Sequence, residues 1–171
     1  MRLCVNILLL LSLRVSFAQQ VSSDSSFQCS LKTGITRLDF FSGLEGVYCD
    51  EHLVFLSSFE LGVNRTFFQQ HIFPRASVGF GYRFVIGPMQ FDPLMMFSQS
   101  ILKLSTSDNS RHYWTECYMG YRFAIGKKWK FVNEIMCGWM SERYLVNTSG
   151  AKKTFGTFGY YGSLGLARNI R

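Results

Sequence analysis

Seven charged side chains carry most of the chemical potential of this chain: Glu45, Glu60, Arg83, Asp92, Glu116, Arg122 and Glu134. They lie far apart in sequence and interrupt apolar stretches. Charges withdrawn from water must be paired. Interleaved carboxylates and guanidiniums therefore point to a salt-bridge network filling an interior. A gated ion pathway or ligand cleft built from the same groups is the sharper alternative. Cys29, Cys49, Cys117 and Cys137 are a second candidate set, spaced 20 apart within each successive pair. That spacing is wrong for a zinc site, and there is no Cys-x-x-Cys. Two cross-strand disulfides, Cys29–Cys49 and Cys117–Cys137, are possible at this spacing; the alternative is four unbridged small apolar side chains facing lipid. The histidines are His52, His71 and His112. His71 and His112, with Asp108, Ser110 and Glu142 as possible neighbours, are the only candidates for a hydrolytic site. Such a site needs nucleophile, base and orienting group within hydrogen-bond reach. No local motif supplies that, and Ser107-Asp108-Asn109-Ser110 reads more simply as a turn. We assign no catalytic, metal or cofactor residue. No P-loop, Gly-x-Gly-x-x-Gly or haem motif is present, so no cofactor is expected.

What would position these groups is an internal repeat. Gly81-Tyr82-Arg83-Phe84-Val85-Ile86-Gly87 returns as Gly120-Tyr121-Arg122-Phe123-Ala124-Ile125-Gly126, and Gly159-Tyr160-Tyr161-Gly162 follows at the same interval. A weaker echo is Gly46-Val47-Tyr48. Each repeat holds two strand-length segments, which makes a hairpin. Four hairpins give strands over 27–37, 41–50, 52–64, 73–86, 89–104, 112–126, 129–145 and 154–168. Short connections fall near Asp50-Glu51, Gly87-Pro88 and Gly126-Lys127-Lys128. The opposite ends carry more polar connections at 64–70, 105–111 and 147–153. Short turns alternating with longer loops are the pattern of an up-and-down membrane barrel.

Alternation assigns the faces. Val78, Phe80, Tyr82, Phe84 and Ile86 share one side of their strand, and Ser77, Gly79, Gly81, Arg83 and Val85 the other. Cys117, Met119, Tyr121, Phe123 and Ile125 likewise oppose Glu116, Tyr118, Gly120, Arg122 and Ala124. Leu53, Phe55, Phe59, Leu61 and Val63 oppose Ser58, Glu60, Gly62 and Asn64. A soluble sandwich would show Lys, Glu and Thr on its polar face. Gly, Ser and sparse opposite charges suit a narrow filled interior instead. A turn centred between Gly87 and Pro88 sets Arg83 against Asp92. One centred at Lys127 sets Cys117 against Cys137. Pro93 then falls inside a strand, and Asn133 on the outward face.

With the repeat, the alternation and a leader, the chain resembles the small eight-stranded outer-membrane β-barrels of the OmpA transmembrane-domain and OmpX type, over about residues 27–171. The resemblance implies an all-β, eight-stranded antiparallel up-and-down transmembrane barrel. Many such barrels end on an aromatic residue, whereas Asn169-Ile170-Arg171 stands here. Residues 1–18 read as a cleaved signal peptide, with Arg2, the run Ile7–Leu11, and Ser16-Phe17-Ala18 as a small-x-small site. Residues 19–26 follow as a polar leader. The expected location is the outer membrane.

Composition agrees. The chain has 171 residues, 47% hydrophobic, 16% aromatic and 17% charged. A typical soluble domain is about 25% charged. The basic run Lys127-Lys128-Lys130 lies beside Trp129, where it can meet anionic headgroups or an acidic partner. Nucleic-acid binding needs basic residues beside stacking aromatics on a water-facing surface, and alternation gives the aromatics to lipid instead. Asn64-Arg65-Thr66 and Asn147-Thr148-Ser149 are glycosylation sequons only in a eukaryotic secreted protein. The reading that follows is a non-enzymatic accessory or structural subunit, partnered by outer-membrane lipid and other outer-membrane proteins. An outer-rim lipid or peptide hydrolase, and a soluble secreted β-sandwich or lipocalin-like binder, are the alternatives.

Overall fold

The computed structural model describes residues 25–37, 39–64, 71–103, 111–145 and 152–170. The proposed signal peptide, most of the leader, Asp108 and Ser110 lie outside these residues. The strands are β1 (Ser26–Thr36), β2 (Phe40–Asp50), β3 (Leu53–Asn64), β4 (His71–Tyr82), β5 (Phe84–Ile86), β6 (Met89–Lys103), β7 (Arg111–Gly126), β8 (Trp129–Leu145) and β9 (Lys152–Ile170). All pairings are antiparallel. Apart from β4 and β5, each strand bonds the next in sequence; β1 pairs with β9, and β4 pairs with β6. The sheet therefore closes on itself and leaves no free edge.

β4 and β5 form one stave, so the barrel has eight staves. The interruption at Arg83 has a chemical cause. The β4–β6 ladder ends at Gly81↔Leu94 and resumes in the same register at Phe84↔Phe91. The residue opposite the gap is Pro93, which has no N–H to give. Pro93 faces Tyr82 in this register, while the Arg83 N–H points to the other side and donates to the His52 carbonyl at 2.7 Å, continuing the β3 ladder.

One turn departs from the sequence-based register. Ile125 pairs with Phe131 and Cys117 with Trp139, two residues from the expected partners. Gly126, at φ +134°, ends β7 opposite Lys130, and its N–H goes to the Pro88 carbonyl of the adjacent turn. Lys128 becomes the centre of the connection. A slip of one residue would have turned every side chain over; a slip of two keeps each on its face and changes only its neighbour.

The faces are inverted relative to a soluble protein. Leu31, Leu44, Val78 and Phe158 are about 60% exposed, and large apolar residues surround the barrel. Inside lie Arg75, Arg122, Lys32, Glu45, Glu60 and Glu116, nearly inaccessible. An apolar belt of this extent has no place on a monomer in water. A lipocalin-like binder would carry the opposite distribution, so the soluble alternative is set aside. The repeat glycines have a steric role. A Cβ on Gly81 would sit on the Pro93 carbonyl oxygen, and one on Gly120 on that of Ile135. Only glycine allows those staves to approach so closely at the repeat.

Candidate functional site: the barrel lumen

The lumen holds one continuous ion network. At the end with short turns, Arg83 grips Asp92 through two parallel bonds, Nε–Oδ1 at 2.8 Å and Nη2–Oδ2 at 2.7 Å. Such a fork is the strong form of the arginine–carboxylate pair. Arg122 reaches Asp92 at 3.3 Å on one side and Glu45 at 3.1 Å on the other. At mid-barrel the Lys32 ammonium meets Glu45 at 2.8 Å, Glu60 at 3.1 Å and Glu134 at 3.2 Å. Tyr161 and Ser163 donate hydroxyl bonds to Glu134 at 3.3 and 2.6 Å, and Tyr161 also reaches Glu60 at 2.9 Å. Towards the longer loops, Arg75 ties Glu60, Asp39 and Glu116 together at 3.4, 2.9 and 3.3 Å. The Thr36 hydroxyl donates to Asp39. Aromatic faces complete the shell: Lys32 lies 5.3 Å from the Tyr161 ring centre, and Arg75 lies 5.6 Å from that of Phe41.

Glu60, Arg83, Asp92, Glu116, Arg122 and Glu134 are all placed inside and linked through this network. Sequence reasoning missed Lys32, Arg75 and Asp39, its other members. Two were within reach of the same rule. Arg75 shares its parity with Ser77 and Arg83. Lys32 shares its parity with Gln28 and Ser30, opposite Leu31 and Ile35. Asp39 precedes a strand, so alternation gives no signal for it.

The disulfide expectation is corrected. All four described cysteines are free thiols. Cys29 pairs with Gly46, while Cys49 pairs with Ser26. Cys29 alternates outward, and Cys49 points into the lumen, buried, with its thiol against the Glu51 carbonyl at 3.6 Å. Residues on opposite faces of a sheet cannot bridge. Cys117 and Cys137 share the outer face but stand opposite Trp139 and Met119, because the turn register differs by two. Asn133, outward as expected, satisfies its amide on the Ser163 carbonyl at 3.3 Å.

His71 and His112 fall at the same barrel end, on β4 and β7, with β6 between them. Their side chains lie outside the described part, as do Asp108 and Ser110; Glu142, the third candidate partner, stands on β8 opposite Trp114. His52 sits at the opposite end, its ring 5.1 Å from that of Tyr82. The hydrolase expectation thus gains no assembled triad. Among the described residues no cluster of His, Cys, Asp or Glu could hold a metal ion.

No protein-family model and no curated protein matches the chain. Solved structures do. The N-terminal β-barrel domain of Pseudomonas aeruginosa OprF superposes with a TM-score of 0.57 at 9% identity, over 85% of this chain and 97% of that one. A major outer membrane protein from Thermus thermophilus gives 0.54 at 9% identity, over 85% and 99%. The closed antiparallel barrel, its inverted faces and these likenesses agree: the chain has the fold of the small eight-stranded outer-membrane β-barrels.

Proposed function

We propose that this chain is a sealed outer-membrane barrel that serves as a structural or accessory subunit beside larger outer-membrane proteins. An eight-stranded barrel has room inside for side chains only. Here that room is taken by charges that are paired with one another. Function then falls to the outer surface.

The observation that carries the reading is a break in the lipid-facing apolar surface on β1 and β2, next to β8 and β9. A recess of about 360 Å³ is lined by Leu31, Thr33, Ser42, Phe131, Leu164 and Leu166. Thr33 and Ser42 bond each other at 3.2 Å on its rim. Beyond the outward rung of Leu31 and Leu44, Cys29, Gly46 and Ser57 stand side by side. Pure lipid contact has no use for small and hydroxyl side chains, whereas close packing between membrane segments favours them. Mild detergent extraction followed by native sizing tests the reading. A particle well above one chain plus micelle is expected. Thr33→Trp or Ser42→Trp should return it to monomer size with the barrel still folded. A monomer from the wild-type chain in the gentlest extraction would overturn the subunit role.

A further inference from the structure

Lys130 has no use in the network just described. Its side chain alternates inward on β8 and is 5% exposed. Among the described residues it makes no ion pair and no hydrogen bond. The neighbouring carboxylate, Asp92, is already held by Arg83 and Arg122. Those two guanidiniums repel Lys130, and Asp92 is the opposing charge. The side chain is thus almost wholly covered, while its ammonium has no partner of its own among the described residues.

Lys130 lines a cavity of about 440 Å³ at the short-turn mouth of the lumen, together with Lys127, Gln90, Gly126 and the Val85–Pro88 turn. The orientation of Gln90 follows from a relay. Arg122 can only donate, so the Gln28 oxygen faces it, at 3.4 Å. The Gln28 amide nitrogen must then donate to the Gln90 oxygen, at 3.0 Å. This leaves the Gln90 –NH₂ as the unused end, and it can only donate. Two ammonium groups and a fixed amide donor thus share a cavity with no acidic residue among its lining groups. The lining strand positions Val85, Gln90, Gly126 and Lys130 alternate inward, so the cavity is reached from water at the barrel mouth rather than from the bilayer.

We propose that this mouth is a binding site for a water-soluble oxyanion, a phosphate or carboxylate group carried by a small molecule. Lys130 supplies an unpaired charge, Lys127 a second, solvent-facing charge, and Gln90 the directional hydrogen bond. The cavity is larger than a bare phosphate ion, which fits an anionic group presented by a larger molecule. Nothing in the accessory-subunit reading requires this site.

Isothermal titration of the refolded barrel in maltoside micelles tests it, with inorganic phosphate, glycerol 3-phosphate and acetate as probes against a chloride background. Saturable binding at one site per chain is expected for at least one oxyanion. Lys130→Met should weaken it about tenfold or more, the worth of a hydrogen bond to a charged group. Gln90→Glu supplies an internal anion to Lys130 and should abolish binding while the barrel keeps its folded electrophoretic mobility. If Lys130→Met does not fold, Gln90→Glu and Lys127→Met carry the test, the latter with a loss of several-fold. The absence of saturable binding for all three probes, or binding unchanged in Gln90→Glu, overturns the proposal. Binding only to vesicles containing anionic lipid, with none to the soluble probes, also overturns it and places the anion in the bilayer.

Discussion

Lys32→Met is the sharpest test of the interior. The substitution keeps an unbranched apolar stem as far as the ε position and removes the charged group. Lys32 is common to three carboxylates, at 2.8 to 3.2 Å. Their remaining partners differ. Glu45 keeps Arg122 at 3.1 Å and the Ser30 hydroxyl at 3.1 Å. Glu60 keeps Arg75 at 3.4 Å and Tyr161 at 2.9 Å. Glu134 is left with the Ser163 hydroxyl, a Tyr161 hydroxyl it shares with Glu60, and a single guanidinium at 3.7 Å. The loss therefore concentrates on Glu134. Removing one partner of a buried pair costs about 3–5 kcal/mol, and this is the expected destabilisation. Adding Glu134→Gln deletes the orphaned charge while keeping an acceptor for Tyr161 and Ser163. The double variant should regain about half of the loss, a coupling of roughly 1.5 kcal/mol or more between the two sites. Urea unfolding from phospholipid vesicles, followed by tryptophan fluorescence, measures both. Leu31→Met, one residue away on the lipid face, is the control and should stay within about 1 kcal/mol of the parent. If Lys32→Met also stays within that margin, or Glu134→Gln makes it worse, the carboxylates are not held by Lys32 and the network account fails.

Further outcomes follow from the same geometry. Gly120→Val places a side chain on the Ile135 carbonyl and should prevent folding, read as loss of the compact form on unheated gels. Leu44→Arg, on the lipid face at mid-strand and 59% exposed, should cost about 2–4 kcal/mol in vesicles, the range for a cation at the bilayer midplane. An Arg introduced near a strand end should cost about 1 kcal/mol or less. Arg83→Lys loses the planar fork on Asp92 and should destabilise by roughly 1–2 kcal/mol, half or less of the loss from Arg83→Met. Mobility on unheated gels should be the same with and without reductant, since the described cysteines are free; a reductant-sensitive shift would restore the Cys117–Cys137 bridge.

How much of this was legible in the sequence follows from the period of the signal. Strand alternation has a period of two and survives errors of turn geometry that are multiples of two. That is why Glu116, Arg122 and Glu134 could be assigned to the interior although the β7–β8 register was wrong by that amount. Cross-strand partners have no such protection, and the expected Cys117–Cys137 pairing was lost to the same slip. The Gly87–Pro88 turn, with glycine at φ +59°, was centred correctly, and the Arg83–Asp92 contact came with it. The turn at Gly126 was not, because its closure depends on a hydrogen bond to a different turn. Nor could a local reading find the Gln28–Gln90 contact, which joins residues 62 apart. Arg75 was legible and missed, since alternation was followed only from Ser77 onward.

The inversion of the faces changes what specifies the fold. In water, burial of Leu31 or Phe158 would favour collapse; in a bilayer their surroundings are as apolar as a protein core, so they set depth rather than internal packing. Uniqueness must come from groups that cannot be exchanged for lipid. Two kinds are present. The closed ladder satisfies every stave on both edges, as a membrane requires of backbone groups. Within it, Lys32, Arg75 and Arg122 each reach carboxylates on non-adjacent staves, and Arg83 holds Asp92 across its own turn. A register slip of even two residues on one stave would leave its outer face apolar but separate these ions. The network therefore discriminates between registers that the lipid-facing surface cannot tell apart. The interior's role as register lock predicts that replacing the whole network with apolar residues of similar volume should leave stability near the parent, as concerted replacement of buried ions often does, while mixed strand registers appear. Cross-strand cysteine pairs placed at neighbouring rungs would read those registers directly. A single register in such a variant would assign the specificity to the turns instead.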